Sequence, residues 1–150
     1  MNSITEVAIR YAEMGLRVFP VGPSKVPMVA GGFKAGTSDP VRAKQMFIGR
    51  DAPMIGIVHD RFMIFDFDGE EGRQTYREHG YRFPEPLATV ETRSGGLHMY
   101  YDNPPGQRKR RIRHLPGLDI LMGDGGYVIV PPSVGYRFIS GSMESVMERA

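Results

Sequence analysis

Two carboxylates lie two positions apart in the stretch MIFDFDG, residues 63–69. Residues of a strand alternate between its two faces, so Asp66 and Asp68 project from the same side, roughly 6–7 Å apart. Two anions on one side of an apolar strand repel each other, and a divalent metal ion is the obvious positive partner. The pair therefore predicts a metal site. A plain polar strand end before the turn at Gly69 is the alternative.

Two other chemistries use a similar stretch. A calcium loop that began at Asp66 would need Gly at its sixth position and Glu at its twelfth, where this chain has Glu71 and Arg77. The stretch also resembles the nucleophile strand of haloacid dehalogenase-type phosphatases, but Glu70 stands where that family has Thr or Val. The segment GDGGYV, residues 123–128, lacks that family's later Asp. The calcium loop fails, and the phosphatase is kept as an alternative.

A glycine turn followed by a histidine forms the second candidate. The segment TRSGGLHMYY, residues 92–101, contains an SGG turn whose backbone N–H groups can approach an anion closely. Alternation puts His98 on the strand face opposite Leu97 and Met99, so His98 faces outward if those two face the core. Taken singly, SGG is a hairpin turn and the histidine a surface residue.

A third candidate is Asp119, which lies inside the apolar strand LDILM, residues 118–122. A buried carboxylate needs a partner, so we interpret Asp119 as functional. Asp124, in GDGG, suits a turn.

A basic run, RKRRIR at residues 108–113, lies between the SGG turn and the strand that carries Asp119. It contains five of the chain's 19 Lys and Arg residues. Phosphates are the natural ligands of such a cluster, and a solvated loop is its alternative.

The elements that must position these residues form an α+β pattern. A capping box at Ser3 begins a helix that Gly15 ends, and further helices are predicted over 39–47 and 70–79 and from Ser142. The predicted strands are 17–21, then 54–58 and 62–67 joined by a tight turn, then 87–93, 97–101, 118–122, 127–133 and 136–140. The front half mixes helices and strands and the back half is mainly strand, so this pattern predicts an α+β fold with a cleft between two lobes.

Composition limits the class of protein. The 150 residues, 41% of them apolar and 24% charged, suit one compact domain or two small lobes. The absence of cysteine excludes disulfides and thiolate zinc sites. The N-terminal segment has no signal-peptide pattern, and no apolar run approaches the ~20 residues of a membrane span. We therefore expect a cytoplasmic protein.

The motifs, taken in order, closely resemble the bifunctional DNA primase/polymerase (prim-pol) domain of phage and plasmid replication proteins, in the archaeo-eukaryotic primase superfamily. The order is YAEMGLRVFPV, SKVP, IFDFDGEEG, TRSGGLHMYY and GLDILMGDGGYVIVPPS. The resemblance runs from about Ala8 to Phe138. It implies that residues 1–150 form a prim-pol catalytic domain. The implied fold is a small αβ lobe packed on an antiparallel sheet lobe similar to an RNA-recognition motif, with the active site in the cleft between them.

The resemblance also implies the roles of individual residues. Asp66, Asp68 and Asp119 match the acids that hold two Mg²⁺ or Mn²⁺ ions for nucleotidyl transfer, and His98 matches the residue that contacts the phosphates of the incoming nucleotide. The predicted nucleotide-binding set is Ser94, Gly95, Gly96, His98 and Lys25, and the predicted DNA-binding set is Arg108, Lys109, Arg110, Arg111 and Arg113.

The implied activity is primer synthesis or DNA extension on a single-stranded DNA template from NTPs or dNTPs. The chain resembles a catalytic fragment of a longer replication protein that also has helical and helicase regions. It departs from the family in having no Trp and in having His59-Asp60 where TG is usual. A non-catalytic single-strand or origin DNA-binding module is the alternative from another class.

Overall fold

The computed structural model describes residues 3–104 and 110–148, which contain four α-helices. Its helices are α1 Ser3–Glu13, α2 Pro40–Phe47, α3 Gly69–His79 and α4 Met143–Met147. Asp39 accepts a hydrogen bond from the Val41 N–H at 3.0 Å where α2 begins. Ser142 and Ser145 form a capping box at α4. The predicted helices are therefore confirmed to within two residues. None of these helices is long and apolar enough to cross a membrane.

The strands of the described residues form two antiparallel sheets. In chain order they are β1 Val18–Val21, β2 Met54–Val58, β3 Met63–Phe67, β4 Ala88–Glu91, β5 Leu97–Tyr101, β6 Arg110–Leu115, β7 Leu118–Met122, β8 Tyr127–Val130 and β9 Arg137–Ser140. One sheet has the order β1-β2-β8, and the other has the order β6-β7-β3-β5-β4-β9. The predicted α+β class is confirmed.

The first of two compact units comprises the residues up to Val58 together with Tyr127–Val134. Its three strands are almost continuously apolar and buried, as expected of a sheet covered on both faces. The Tyr11 hydroxyl donates to the Pro131 carbonyl at 2.8 Å, and the Ile55 N–H donates to the Ser133 hydroxyl at 2.8 Å. These bonds tie the returning segment to the front of the chain.

The second unit, His59–Gly126 and the residues from Gly135 on, contains the six-stranded sheet. One face of this sheet carries an apolar cluster formed by Phe65, Phe67, Leu97, Met99, Tyr101 and Leu118. Two rings cover this face: Tyr76 of α3 lies 5.5 Å from Phe67, and Phe83 lies 5.2 Å from Phe65, both measured between centroids. The confirmed inward direction of Leu97 and Met99 places His98 on the opposite face.

The predicted turn between β2 and β3 is present, although the two strands belong to different sheets. Two other expectations about the strands are wrong. The later strands do not form one lobe, since β8 pairs with β2 in the first unit. The basic run is not a loop throughout, because Arg110–Leu115 is strand β6. The local sequence pattern can indicate that a segment is a strand, but only long-range pairing decides to which sheet the strand belongs.

Candidate functional site

Four polar residues lie side by side across the six-stranded sheet. Asp66 on β3 is the direct partner of both His98 on β5 and Asp119 on β7. Asp119 is in turn the partner of Arg113 on β6. Directly opposed residues of antiparallel strands project from the same face. His98, Asp66, Asp119 and Arg113 therefore form a cross-strand row, which brings together four of the predicted site residues.

The inner half of the row is an acid beside a histidine. His98 Nε2 lies 3.5 Å from Asp66 Oδ1, and the two side chains are 10% and 18% exposed. The other ring nitrogen, Nδ1, is buried and has no hydrogen-bond partner among the described residues. A buried polar atom of this kind is costly unless a ligand or water satisfies it. The ring of Tyr136 lies beside His98, with 6.5 Å between centroids.

The face that carries the row is not the open surface that the sequence predicted. His98 is 8% exposed, and its neighbour Tyr100 is fully buried. The ring of Phe62 lies 5.0 Å from that of Tyr100 on this face. The prediction that His98 faces away from Leu97 and Met99 is therefore confirmed, but the prediction that it faces outward is wrong.

The outer half of the row is an ion pair. Arg113 Nε donates to Asp119 Oδ1 at 2.6 Å, with the arginine side chain 65% exposed and the aspartate 9% exposed. The hydrogen bond to Asp119, and then its charge, raise the pKa of Arg113. The more distant charges of Glu71 and Asp68 act in the same direction. The partner that the buried Asp119 needs is thus a member of the basic run.

Asp68 lies just beyond the end of β3, where α3 begins. Its backbone is extended, which continues the alternation from Asp66 and keeps the two side chains on one side. The Asp68 N–H donates to the Gly117 carbonyl at 2.8 Å, next to the start of β7. Its side chain makes no capping bond to α3, although Asp is a favoured capping residue. The carboxylate is exposed beside the row.

The glycine turn before His98 is built for close backbone packing. The N–H of Gly95 donates to the Thr92 carbonyl at 2.9 Å, and the N–H of Gly96 donates to the Thr92 hydroxyl at 3.1 Å. Neither amide is therefore left for an anion, contrary to the expectation for this turn. A β-carbon at Gly96 would overlap the Phe67 carbonyl oxygen. Ser94, the other predicted residue of this turn, is exposed, and its hydroxyl lies 3.3 Å from the Thr92 hydroxyl.

The remaining predicted residues lie elsewhere. Lys25 belongs to the first unit, in a turn where its φ is 68°. In the basic run, Arg108 and Lys109 lie outside the described residues, and Arg110 and Arg111 lie on β6. The nucleotide-binding role of Lys25 and the DNA-binding roles of the basic run stay predictions.

The three predicted metal ligands have the right chemistry for a divalent metal ion, but their side chains are not arranged to bind one ion together. Asp66, Asp68 and Asp119 supply the carboxylate oxygens that Mg²⁺ and Mn²⁺ prefer. Over residues 3–104 and 110–148, however, no three acidic or histidine side chains converge as a ready metal site. Asp119 is bound by Arg113, and Asp66 lies against His98. These two carboxylates would therefore have to turn before they held one ion together.

Sequence reasoning missed the pairing of Arg113 with Asp119. The turn at Pro116-Gly117 joins β6 to β7, with Leu115 opposite Leu118. A regular register would then place His114 opposite Asp119. An irregularity between Arg113 and Leu115 shifts the pairing by one residue and places Arg113 there instead. Pro116-Gly117 is a turn signal in the sequence, but neither strand β6 nor the bulge was predicted.

Comparison with known proteins adds one finding. The sequence profile of the bifunctional DNA primase/polymerase N-terminal domain matches residues 8–149. That range includes all four residues of the cross-strand row as well as Asp68. No curated protein shows a significant match to the chain.

Proposed function

Because the chain belongs to the bifunctional DNA primase/polymerase family, we propose that it is a metal-dependent nucleotidyltransferase. It makes or extends primers on a single-stranded DNA template from NTPs or dNTPs. The cross-strand row is the observation that carries this proposal, since it places His98, Asp66 and Asp119 on neighbouring strands of one sheet face. The family match favours this function over the phosphatase alternative.

Asp66, Asp68 and Asp119 are the residues that would hold Mg²⁺ or Mn²⁺. When bound, such ions activate a primer hydroxyl and neutralise the leaving pyrophosphate. Two of these carboxylates, Asp66 and Asp119, lie directly opposite each other on β3 and β7. Like charges in that position repel, which favours the binding of a positive partner beside them.

His98 is the residue that would contact the nucleotide phosphates. Its Nε2 lies 3.5 Å from Asp66 Oδ1, and this contact orients the ring. The buried Nδ1 lacks a partner among the described residues and is the nitrogen left to donate to a phosphate oxygen. Ser94 is a further proposed nucleotide contact, and the role of Lys25 stays a prediction from the family resemblance. The proposed DNA contacts are Arg108, Lys109, Arg110, Arg111 and, when released from Asp119, Arg113.

A template-directed primer-extension assay tests this function. The chain is supplied separately with NTPs and dNTPs, with Mg²⁺ or Mn²⁺, and Asp66→Asn is compared with Glu70→Gln. Glu70 is an exposed acid of α3 that pairs with Arg77 at 2.9 Å, away from the row. We expect Asp66→Asn to lower incorporation by about a hundredfold or more, the scale of losing one electrostatic catalytic group. We expect Glu70→Gln to keep the wild-type rate.

Two outcomes would contradict the proposal. One is full incorporation by Asp66→Asn, which would remove Asp66 from the reaction. The other is tight binding of single-stranded DNA, measured by fluorescence anisotropy, with no incorporation under any of these conditions. That result would favour the non-catalytic DNA-binding module instead.

A further inference from the structure

Arg113 binds the row from an edge strand of the sheet. Strand β6 is the first in the order β6-β7-β3-β5-β4-β9, and Arg113 reaches from it to Asp119. The pair is unequal, because the aspartate is almost fully buried while the arginine side chain is 65% exposed. The carboxylate is buried in the sheet, whereas most of the arginine side chain is exposed to solvent. Of the two partners, Arg113 is therefore the one that can leave.

The charges around Arg113 are those of the proposed metal ligands. Asp119 makes the direct bond, and Asp68 and Glu71 add attraction over a longer distance. Asp66 lies directly opposite Asp119 on the other side of β7. A guanidinium and a divalent cation are attracted by the same carboxylate oxygens, and a lone pair of Asp119 Oδ1 that accepts from Arg113 is not available to a metal.

We propose that Arg113 competes with the divalent cation for Asp119 and thereby sets the metal affinity of the site. This proposal rests on the proposed function, because it assumes that Asp119 is a metal ligand. Arg113 is then a positioning residue. It balances the charge of Asp119 while no metal is bound. Because this short ion pair must break when a metal ion binds to Asp119, Arg113 lowers the metal affinity.

Manganese affinity tests the competition without any turnover. Free Mn²⁺ is measured by electron paramagnetic resonance during titration of the whole chain, for the wild type, Arg113→Gln and Arg137→Gln. Arg137 is a matched control: it lies on the other edge strand, is 69% exposed and pairs with Glu91 at 3.0 Å. We expect Arg113→Gln to tighten Mn²⁺ binding by roughly three- to tenfold, the scale of one partly exposed ion pair. Arg137→Gln should change it by less than about twofold.

Two further measurements separate competition from a merely structural role. Arg113→Gln should lower the melting temperature without metal, since Asp119 loses its partner, while it raises Mn²⁺ affinity. A structural role would lower both. In an Asp119→Asn background, Arg113→Gln should no longer tighten binding, because the competition acts through that carboxylate. If Arg113→Gln does not fold, Arg113→Lys takes its place, with a smaller gain expected because Lys cannot reproduce the planar guanidinium contact.

The proposal is overturned if Arg113→Gln leaves Mn²⁺ affinity unchanged or weakens it. It is also overturned if Arg137→Gln tightens binding equally, which would indicate a general charge effect, or if the gain persists with Asp119→Asn. If the wild type binds Mn²⁺ and Asp119→Asn weakens that binding, these results leave the proposed function intact. Absence of Mn²⁺ binding by the wild type would instead contradict the metal-dependent function, and the competition with it.

Discussion

The two faces of the six-stranded sheet are built from alternate residues of the same strands, yet they do different work. On one face Phe65 and Phe67 of β3 pack against other rings and apolar side chains. On the other face Asp66 lies between His98 and Asp119. Burial of apolar side chains on the first face stabilises the folded state, whereas burial of charged groups in the row destabilises it unless they are paired. A shift of a single residue along β3 thus separates the apolar cluster from the charged row, although the face of the row also buries Ile64 and Tyr100.

Truncation on the apolar face should give the largest change in stability. Phe67 is fully buried and lies against Tyr76 and Phe83, so Phe67→Ala should lower the free energy of unfolding by about 3–5 kcal/mol. Asp66→Asn, its neighbour on the other face, should change that free energy by less than about 1 kcal/mol or raise it, since it removes a like-charge contact. Urea unfolding of both variants measures the difference. Equal losses would show that the row also holds the sheet together.

The glycine turn between β4 and β5 offers a second comparison. Gly96→Ala should lower the free energy of unfolding by about 1–3 kcal/mol, because its β-carbon would collide with the backbone of Phe67 at the end of β3. Gly95→Ala meets open space, so it should cost only the strain of its positive φ, about 1–2 kcal/mol. The readout is urea unfolding together with His98 chemical shifts. We expect Gly96→Ala alone to move the His98 signals, and movement with Gly95→Ala alone would contradict the packing role.

The smallest effect is expected at high pH, on the apolar face. Burial, and then the charge of Tyr76, raise the pKa of Tyr101 to about 12, from 10.0 in an exposed side chain. Between these values the unfolded chain releases this proton while the folded chain keeps it, so unfolding becomes easier as pH rises. The free energy of unfolding should therefore be unaffected by this group below pH 10 and should fall by up to roughly 2 kcal/mol towards pH 12.

Denaturant unfolding from pH 9 to 12 measures this loss. Tyr101→Phe should remove part of the decline, at the expense of the hydrogen bond that the hydroxyl donates to the Pro84 carbonyl at 2.8 Å. Tyr81→Phe is the control, because that side chain is 76% exposed and changes environment little on unfolding. An identical alkaline decline in the wild type and Tyr101→Phe would disprove the assignment.

Much of this arrangement could be predicted from local pattern. Alternation along β5 places His98 opposite Leu97 and Met99, and capping residues mark the helices, because both signals depend on near neighbours in sequence. The motifs in order led to the family that the profile match confirms. Asp119 was also recognised as a buried acid in need of a partner.

What the sequence could not supply depends on distant pairing. The register that places Asp66 opposite both His98 and Asp119 joins strands more than 30 residues apart. The bulge that selects Arg113 over His114 leaves no mark in the composition of β6. Strand β6 itself was hidden because an edge strand tolerates charged residues that a central strand does not.

The position of a bound metal ion is the most direct test of a metal site at the cross-strand row. Substoichiometric Mn²⁺ broadens the nuclear magnetic resonance signals of nearby groups, and the chain has four histidines to report on its position. We predict that the ring signals of His98 broaden well before those of His79, which lies at the far end of α3, and that Asp66→Asn abolishes this selectivity. Equal broadening of His79 and His98, or selective broadening that survives Asp66→Asn, would contradict a metal site at the cross-strand row.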